Sequence, residues 1–182
     1  DKDLILTNSP AMDILKSSNI ERVIYSLYGA KRTKELLEDL HDKKVFEMTK
    51  EETAKLQEYF SAVNSDDKYG LKTIKSFLDD GYLMDPHTAT CIKAYEELRE
   101  DNTTTVIYST AEWTKFSPTV LNALKNDEIK YHDKDALEEI SSKYNATLPT
   151  CIKELFEKQI VHKDIINKKD IEENIIKFIK EQ

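Results

Sequence analysis

The stretch Asp85–Ala111, DPHTATCIKAYEELREDNTTTVIYSTA, decides the fold class of this chain. Asp85-Pro86 is typical of a helix start, with Asp at the N-cap and Pro at the first helical position. The side chains that then recur on one helical stripe are Thr88, Cys91, Ile92, Tyr95 and Leu98. The β-branched run Thr103–Tyr108 follows and predicts a buried strand. A helix that leads directly into a strand indicates an α/β protein.

The rest of the chain is predominantly helical in pattern, with few short strands. Leu4-Ile5-Leu6 predicts one short buried strand, whereas Ser9-Pro10, Thr49–Glu52 and Ser117-Pro118 each indicate a helix start. Gly29 is expected to end a helix that begins near Ile20. The C-terminal helices are expected at 134–143, 149–158 and 168–181, the last with Ile171, Ile175, Phe178 and Ile179 facing inward. So few strands do not make a free-standing doubly wound domain, and they fit part of a larger α/β sheet whose other strands lie upstream.

Composition and charge narrow the function. The 182 residues suit one domain, and the net charge of −8 argues against a nucleic-acid partner, which usually requires a basic face. No apolar run approaches the roughly 20 residues that span a bilayer, and no signal-peptide pattern is present. Cys91 and Cys151 are far apart and are expected to be reduced thiols. We therefore expect a cytoplasmic protein that binds neither nucleic acid nor membrane.

Two common kinds of chemistry have no support in the pattern. His41, His132 and His162 are isolated from one another and from the cysteines, so we expect no metal site. The chain has only three glycines and therefore no Gly-rich loop of the kind that binds phosphate groups. For an enzyme this glycine count is unusual, and it suggests part of a larger protein.

The end of the predicted strand is the first candidate site. Ser109, Thr110 and Ala111 follow Tyr108, and ligands in open α/β sheets bind at the carboxyl ends of strands. A hydroxyl there can bind the ring nitrogen or phosphate of a ligand. Alternatively, the two hydroxyls only cap the next turn.

Two helix starts are the other candidates. Asp85 is an N-cap in either interpretation, and His87 beside it either assists proton transfer or is structural. Ser9 and Asp13 belong to a similar N-terminal turn. The residues that follow at near-helical spacing include Asn19 and Arg22. The Arg22 guanidinium binds a ligand phosphate or carboxylate, or else it pairs with a carboxylate of the fold.

Three segments, in order and at matching spacing, resemble one enzyme family. They are LTNSPAMDI followed by SNIER at 6–14 and 18–22, DPHTA at 85–89, and STA followed by KF at 109–116. These segments resemble the SPAMDI…SNxER, DPHTA and STAHPAKF stretches of threonine synthases, enzymes of fold type II that depend on pyridoxal 5′-phosphate (PLP). We expect residues 1–182 to form a single segment of such an enzyme. The motifs lie within residues 1–124, and residues 125–182 resemble the helical C-terminal tail of the family.

The resemblance implies roles for individual residues. Thr110 would meet the pyridine nitrogen of PLP with its hydroxyl, while Ser109 and Ala111 would wall the same pocket. Asp85 and His87 would lie near the cofactor ring. The pocket rim would include Ser9, Asp13, Asn19 and Arg22. The family often has His-Pro-Ala where this chain has Glu112-Trp113-Thr114, so no role of that His carries over, and we expect Trp113 to pack beside the pocket.

The resemblance also implies what this chain lacks. Nothing matches the family's SFKD-like motif, which carries the Schiff-base Lys, so we expect that Lys upstream of this chain and assign no catalytic residue here. The implied reaction converts O-phosphohomoserine and water to threonine and phosphate, and this chain alone is expected to be inactive. Its expected partners are that substrate, the rest of the parent chain and a second copy in a homodimer. The alternative is a non-enzymatic helical module for interaction or dimerisation that derives from the same fold.

Overall fold

The computed structural model describes residues 4–181, and its regular structure is helical. The α-helices are α1 (Asn19–Lys43), α2 (Lys50–Gln57), α3 (Asp67–Asp79), α4 (Pro86–Leu98), α5 (Ser117–Lys125), α6 (Asp133–Lys143), α7 (Thr150–Leu155) and α8 (Ile171–Lys180). Short 3₁₀ turns occupy Pro10–Met12, Trp113–Phe116 and Lys168–Asp170. The prediction of a predominantly helical chain is confirmed.

Local sequence signals begin and interrupt several helices as predicted, but the helix predicted at Ser9-Pro10 is only the 3₁₀ turn Pro10–Met12. Thr49 and Glu52 form a reciprocal capping box at the start of α2. The Asp85 side chain caps α4, with Pro86 at its first position. Gly29 interrupts α1 with φ 76° and ψ 173°, a conformation that is essentially restricted to glycine. The predicted helix end at Gly29 is therefore confirmed, and a second helical segment begins directly after the kink at this glycine.

The core of the chain up to Thr147 lies around α5. This helix packs against α3 and α6, and α3 also packs against α4. Val120 and Leu121 on α5 are fully buried, as are Ile74 on α3 and Ile140 on α6. The α3–α4 pair holds the start of α4 in the interior, and the candidate site is built at that start.

The predicted strands at 4–6 and 103–108 are wrong for the part of the chain that the structure describes. Both segments are irregular, and residues 4–181 contain no strand. Leu4, Ile5 and Leu6 are 48%, 77% and 76% exposed, and Val106 and Tyr108 are 73% and 79% exposed. A strand satisfies its backbone groups only by pairing with a neighbouring strand. Neither segment has such a neighbour among residues 4–181, so the β-branched pattern has nothing to pair with.

The described chain divides into two compact units between Thr147 and Leu148. The second unit contains α7 and α8, and neither helix buries a residue. The prediction that the apolar side chains of α8 face inward is therefore wrong, because Ile171, Ile175, Phe178 and Ile179 are between 44% and 67% exposed. A unit this short has too little chain to cover its own apolar stripe. Among the described helices, none is long and apolar enough to cross a membrane.

Candidate functional site

Asp85 is the centre of a buried polar network at the start of α4. Its side chain is fully buried, and four donors reach its two carboxylate oxygens. Oδ1 accepts from the backbone N–H groups of His87 at 2.9 Å and Thr88 at 3.4 Å, and from the His87 ring at 3.0 Å. Oδ2 accepts from the Thr88 hydroxyl. A buried carboxylate is tolerated only when it is satisfied in this way.

His87 uses both of its ring nitrogens within the fold. Its Nδ1 lies 3.0 Å from Asp85 Oδ1, and its Nε2 accepts the backbone N–H of Ala11 at 3.1 Å. A backbone N–H can only donate and a carboxylate can only accept, so these partners define a neutral ring with its proton on Nδ1. The Phe116 ring covers the imidazole at a centroid distance of 4.5 Å. Of the two interpretations of His87, the geometry favours the structural one, because neither nitrogen is free for a substrate.

Thr88 extends the network to the predicted strand end. Its hydroxyl donates to Asp85 and accepts the backbone N–H of Thr110 at 3.3 Å. Thr88 is 3% exposed and Thr110 is exposed, so this link connects the interior to the surface. Three segments that are distant in sequence, 9–13, 85–88 and 109–111, are thus joined around one carboxylate. They are the same three segments that carry the motifs.

The N-terminal motif segment is held by hydrogen bonds within itself and by one hydrogen bond to the start of α4. The Asp13 carboxylate accepts the backbone N–H of Thr7 at 2.7 Å and the Thr7 hydroxyl at 2.8 Å. Ser9 is buried, and its hydroxyl donates to the Pro86 carbonyl at 3.0 Å. Two of the four side chains predicted for the pocket rim, those of Ser9 and Asp13, therefore have internal partners.

Two clefts of about 420 Å³ adjoin α4. Ser9 and Asp13 line the first, together with residues 61–67 and Gly70. Thr110 lines the second, which is an open, mainly apolar groove between α4 and residues 105–108. Cys91 and Ala94 contribute to both clefts. The structure therefore places Ser9 and Asp13 in one cleft and Thr110 in the adjacent one, and Asn19 and Arg22 line neither.

The two neighbouring hydroxyls differ in their bonding. Ser109 Oγ donates to the Ala111 carbonyl at 3.4 Å, which is the local capping role considered for it. The Thr110 hydroxyl has no partner among residues 4–181 and is exposed on the groove. Of the pair, Thr110 alone keeps a hydroxyl that is available to a ligand, while Ala111 beside it is half-buried.

The remaining predicted residues lie outside the network. Asn19 and Arg22 are exposed in the first turn of α1, and neither side chain makes a hydrogen bond or ion pair within the described range. Trp113 is 7% exposed, in the 3₁₀ turn before α5, and it lines neither of the two clefts. Its bulk is thus part of the core.

Thr88 is a member of the network that the sequence pattern did not single out. It is the third residue after the N-cap Asp85, the position whose side chain returns to the cap in capping boxes. That spacing, Asp-x-x-Thr, was a usable signal. Its second contact, to the backbone of Thr110, depends on tertiary structure and has no signature in the sequence.

Comparison with known proteins identifies relatives of the chain. The family model described as "Threonine synthase, C-terminal" matches residues 88–176. Threonine synthase-like 1 from Homo sapiens is 34% identical over 152 residues, which are 82% of this chain and 20% of that protein. Threonine synthase from Methylobacillus glycogenes is 31% identical over 150 residues, 76% of this chain and 30% of that protein. The chain therefore spans less than a third of the length of these relatives.

Solved structures agree with the sequence matches. PLP-bound threonine synthase from Brucella melitensis superposes with a TM-score of 0.76 and 26% identity, over 97% of this chain and 35% of that one. Threonine synthase from yeast gives the same TM-score over 38% of its chain. The fold is that of the helical C-terminal region of a PLP enzyme. Within that class the chain matches the C-terminal part of threonine synthases.

Proposed function

We propose that this chain forms one wall of the PLP site of a threonine synthase, which converts O-phosphohomoserine and water to threonine and phosphate. The observation that carries the proposal is the free hydroxyl of Thr110. It lies on an open groove at the end of a buried network that joins all three motif segments. When bound, PLP supplies an electron sink for the amino-acid substrate.

The residues present fit one edge of that cofactor. A hydroxyl without a partner can bind a pyridine nitrogen, and because it is neutral it leaves the ring neutral as well. The neighbouring groove is mainly apolar, which suits the face of an aromatic ring. No lysine lines either of the two clefts at α4, so a lysine that anchors PLP has to come from elsewhere in the enzyme. The proposed role of this chain is therefore to orient the ring, and the chain alone is inactive.

The exposure of segment 103–108 favours a second polypeptide segment that would cover the groove. Val106 and Tyr108 present apolar side chains to solvent, and their backbone has no strand neighbour within residues 4–181. The rest of the parent chain, pairing here as a strand, would satisfy both. The same exposed side chains favour the second candidate function, a helical module for interaction or dimerisation, because large exposed apolar surfaces mark interaction sites.

The complete polypeptide in which this chain occurs separates the two functions. Phosphate release from O-phosphohomoserine is measured with PLP present. We expect activity that survives Thr110→Ser and falls at least about tenfold in Thr110→Val, which removes one hydrogen bond to the cofactor. Thr53→Val is the matched control, because Thr53 is exposed on α2 and lines neither cleft, and its activity should be unchanged. A complete polypeptide that neither binds PLP nor releases phosphate contradicts the enzyme proposal and leaves the interaction module.

The chain alone provides a second test. PLP is added, the sample is reduced with borohydride, and intact mass and peptide mapping locate any modified lysine. We expect no single stoichiometric adduct, and only the dispersed labelling that the urea-unfolded chain also shows. One lysine modified specifically and completely would mean that this chain holds its own anchoring site, and the proposed division of the site would be wrong.

A further inference from the structure

Thr110 makes a single hydrogen bond within the described chain. Residues 99–110 contain no helix or strand that could place it. The backbone N–H of Thr110 donates to Thr88 Oγ1 at 3.3 Å, and the Thr110 side chain has no bond of its own within the described chain. The buried start of α4 is therefore the element that holds Thr110 in place.

The direction of the bonds at Thr88 follows from the atoms available. A hydroxyl has one proton and two acceptor lone pairs, whereas the Asp85 carboxylate can only accept. The Thr88 proton must therefore point to Asp85 Oδ2, which leaves its lone pairs for the N–H of Thr110. Hydrogen bonds in series polarise one another, and the carboxylate makes Thr88 Oγ1 a better acceptor.

Asp85 is itself fixed on its other oxygen. Oδ1 accepts from the His87 ring and from two backbone N–H groups of the first helical turn. The His87 ring is fixed in turn by the N–H of Ala11 and by the Phe116 ring. The carboxylate cannot turn toward solvent without breaking this set, so Thr88 is held as part of a rigid group.

We propose that Thr88 is a positioning residue for cofactor recognition, which sets the backbone of Thr110 so that its hydroxyl faces the ring nitrogen of PLP. This inference rests on the proposed function, because it assigns a purpose to the placement of Thr110. Thr88 touches neither cofactor nor substrate in this role. It acts through one hydrogen bond to the residue that does.

The hydrogen bond is tested on the chain alone by amide exchange of Thr110, measured by NMR. Thr88→Val keeps the shape of the side chain and removes the hydroxyl, and we expect the Thr110 amide to exchange about tenfold faster. Thr88→Ser should restore the slow exchange. Thr90→Val is the matched control, because the Thr90 hydroxyl on the same helix bonds only to the His87 carbonyl. Amides of Val120 and Ile140 report whether each variant remains folded.

Unchanged exchange at Thr110 in a folded Thr88→Val chain overturns the inference. If that variant does not fold, the unsubstituted chain is still decisive, because a bonded amide has a small temperature coefficient of its proton shift. A coefficient typical of a solvated amide would equally overturn the inference.

The consequence for the cofactor is tested in the complete polypeptide by the absorption spectrum of bound PLP. We expect Thr88→Val to shift the spectrum in the same direction as Thr110→Val, and Thr88→Ser to return it to normal. A shift in Thr110→Val without one in Thr88→Val means that the positioning inference is wrong and the proposed function stands. No shift in either variant means that Thr110 does not meet the ring, and both fail.

Discussion

Removal of the Asp85 carboxylate is the perturbation that most directly tests the buried network. In Asp85→Ala, helix α4 loses its N-cap, which costs about 1 kcal/mol. The Nδ1–H of His87 and the hydroxyl of Thr88 also lose their acceptor, and both side chains are at most 5% exposed. Each orphaned buried donor costs about 1–3 kcal/mol. The free energy of unfolding should therefore fall by roughly 3–7 kcal/mol, a large part of a typical domain's 5–15 kcal/mol.

Urea unfolding followed by Trp113 fluorescence measures this loss. Trp113 is the single tryptophan of the chain and is buried in the same unit, so its emission reports on the relevant core. Asp85→Asn should cost less, about 1–2 kcal/mol, because the amide oxygen retains the donors at Oδ1 and only the bond from Thr88 is compromised.

Asp66→Ala is the matched control. Asp66 caps α3 by accepting the N–H of Tyr69 at 2.7 Å, but that cap is exposed and receives no buried side-chain donor. It should lose about 1 kcal/mol. If Asp85→Ala costs no more than Asp66→Ala, the network contributes nothing beyond an ordinary cap, and the reasoning that makes Asp85 its centre is refuted.

Two further predictions concern the helical scaffold. Gly29→Ala should destabilise the chain by about 1–3 kcal/mol, because φ 76° with ψ 173° strains any residue other than glycine. Gly70→Ala is the control: Gly70 lies within a helix with open space at its Cβ, so this change should be neutral or stabilising. Equal urea midpoints for the two variants would contradict the prediction. The hydrogen bond from Arg32 holds the pKa of Glu52 below its ordinary 4.5, so ionised Glu52 stabilises the fold above pH 4.5 and that contribution is lost as pH falls through the lowered value. Urea midpoints between pH 3 and 6 should show this loss, Glu52→Gln should lack it, and identical profiles would refute the link.

Local signals in the sequence were sufficient for two helix starts and one helix break. The Asp85-Pro86 start, the Thr49–Glu52 capping box and the break at Gly29 were all predictable, because each depends on residues within one turn of one another. The strands were not predictable in this way. The run at 103–108 has the composition of a strand, but pairing requires a neighbour, and composition cannot supply one.

For the candidate site, too, the sequence identified some features and the tertiary structure decided others. Its residues were identifiable because three motifs match a family in order, and Thr110 was selected among them on that ground. The sequence did not show which hydroxyls of the site are free to bind a ligand. Ser109 and Thr110 are equivalent in the pattern, yet the fold satisfies one locally and leaves the other open to the groove.

The sequence by itself determined the helical class, the helix starts at Thr49 and Asp85, and the resemblance to the family, since these depend on local chemistry and on order along the chain. The tertiary structure alone decided that Asp85, His87 and Thr88 join segments up to about a hundred residues apart. It alone also decided that the apolar faces of 103–108 and α8 are exposed. The physical reason is common to both results. Burial and hydrogen-bond satisfaction belong to pairs of segments that meet in space, and no single segment encodes its partner.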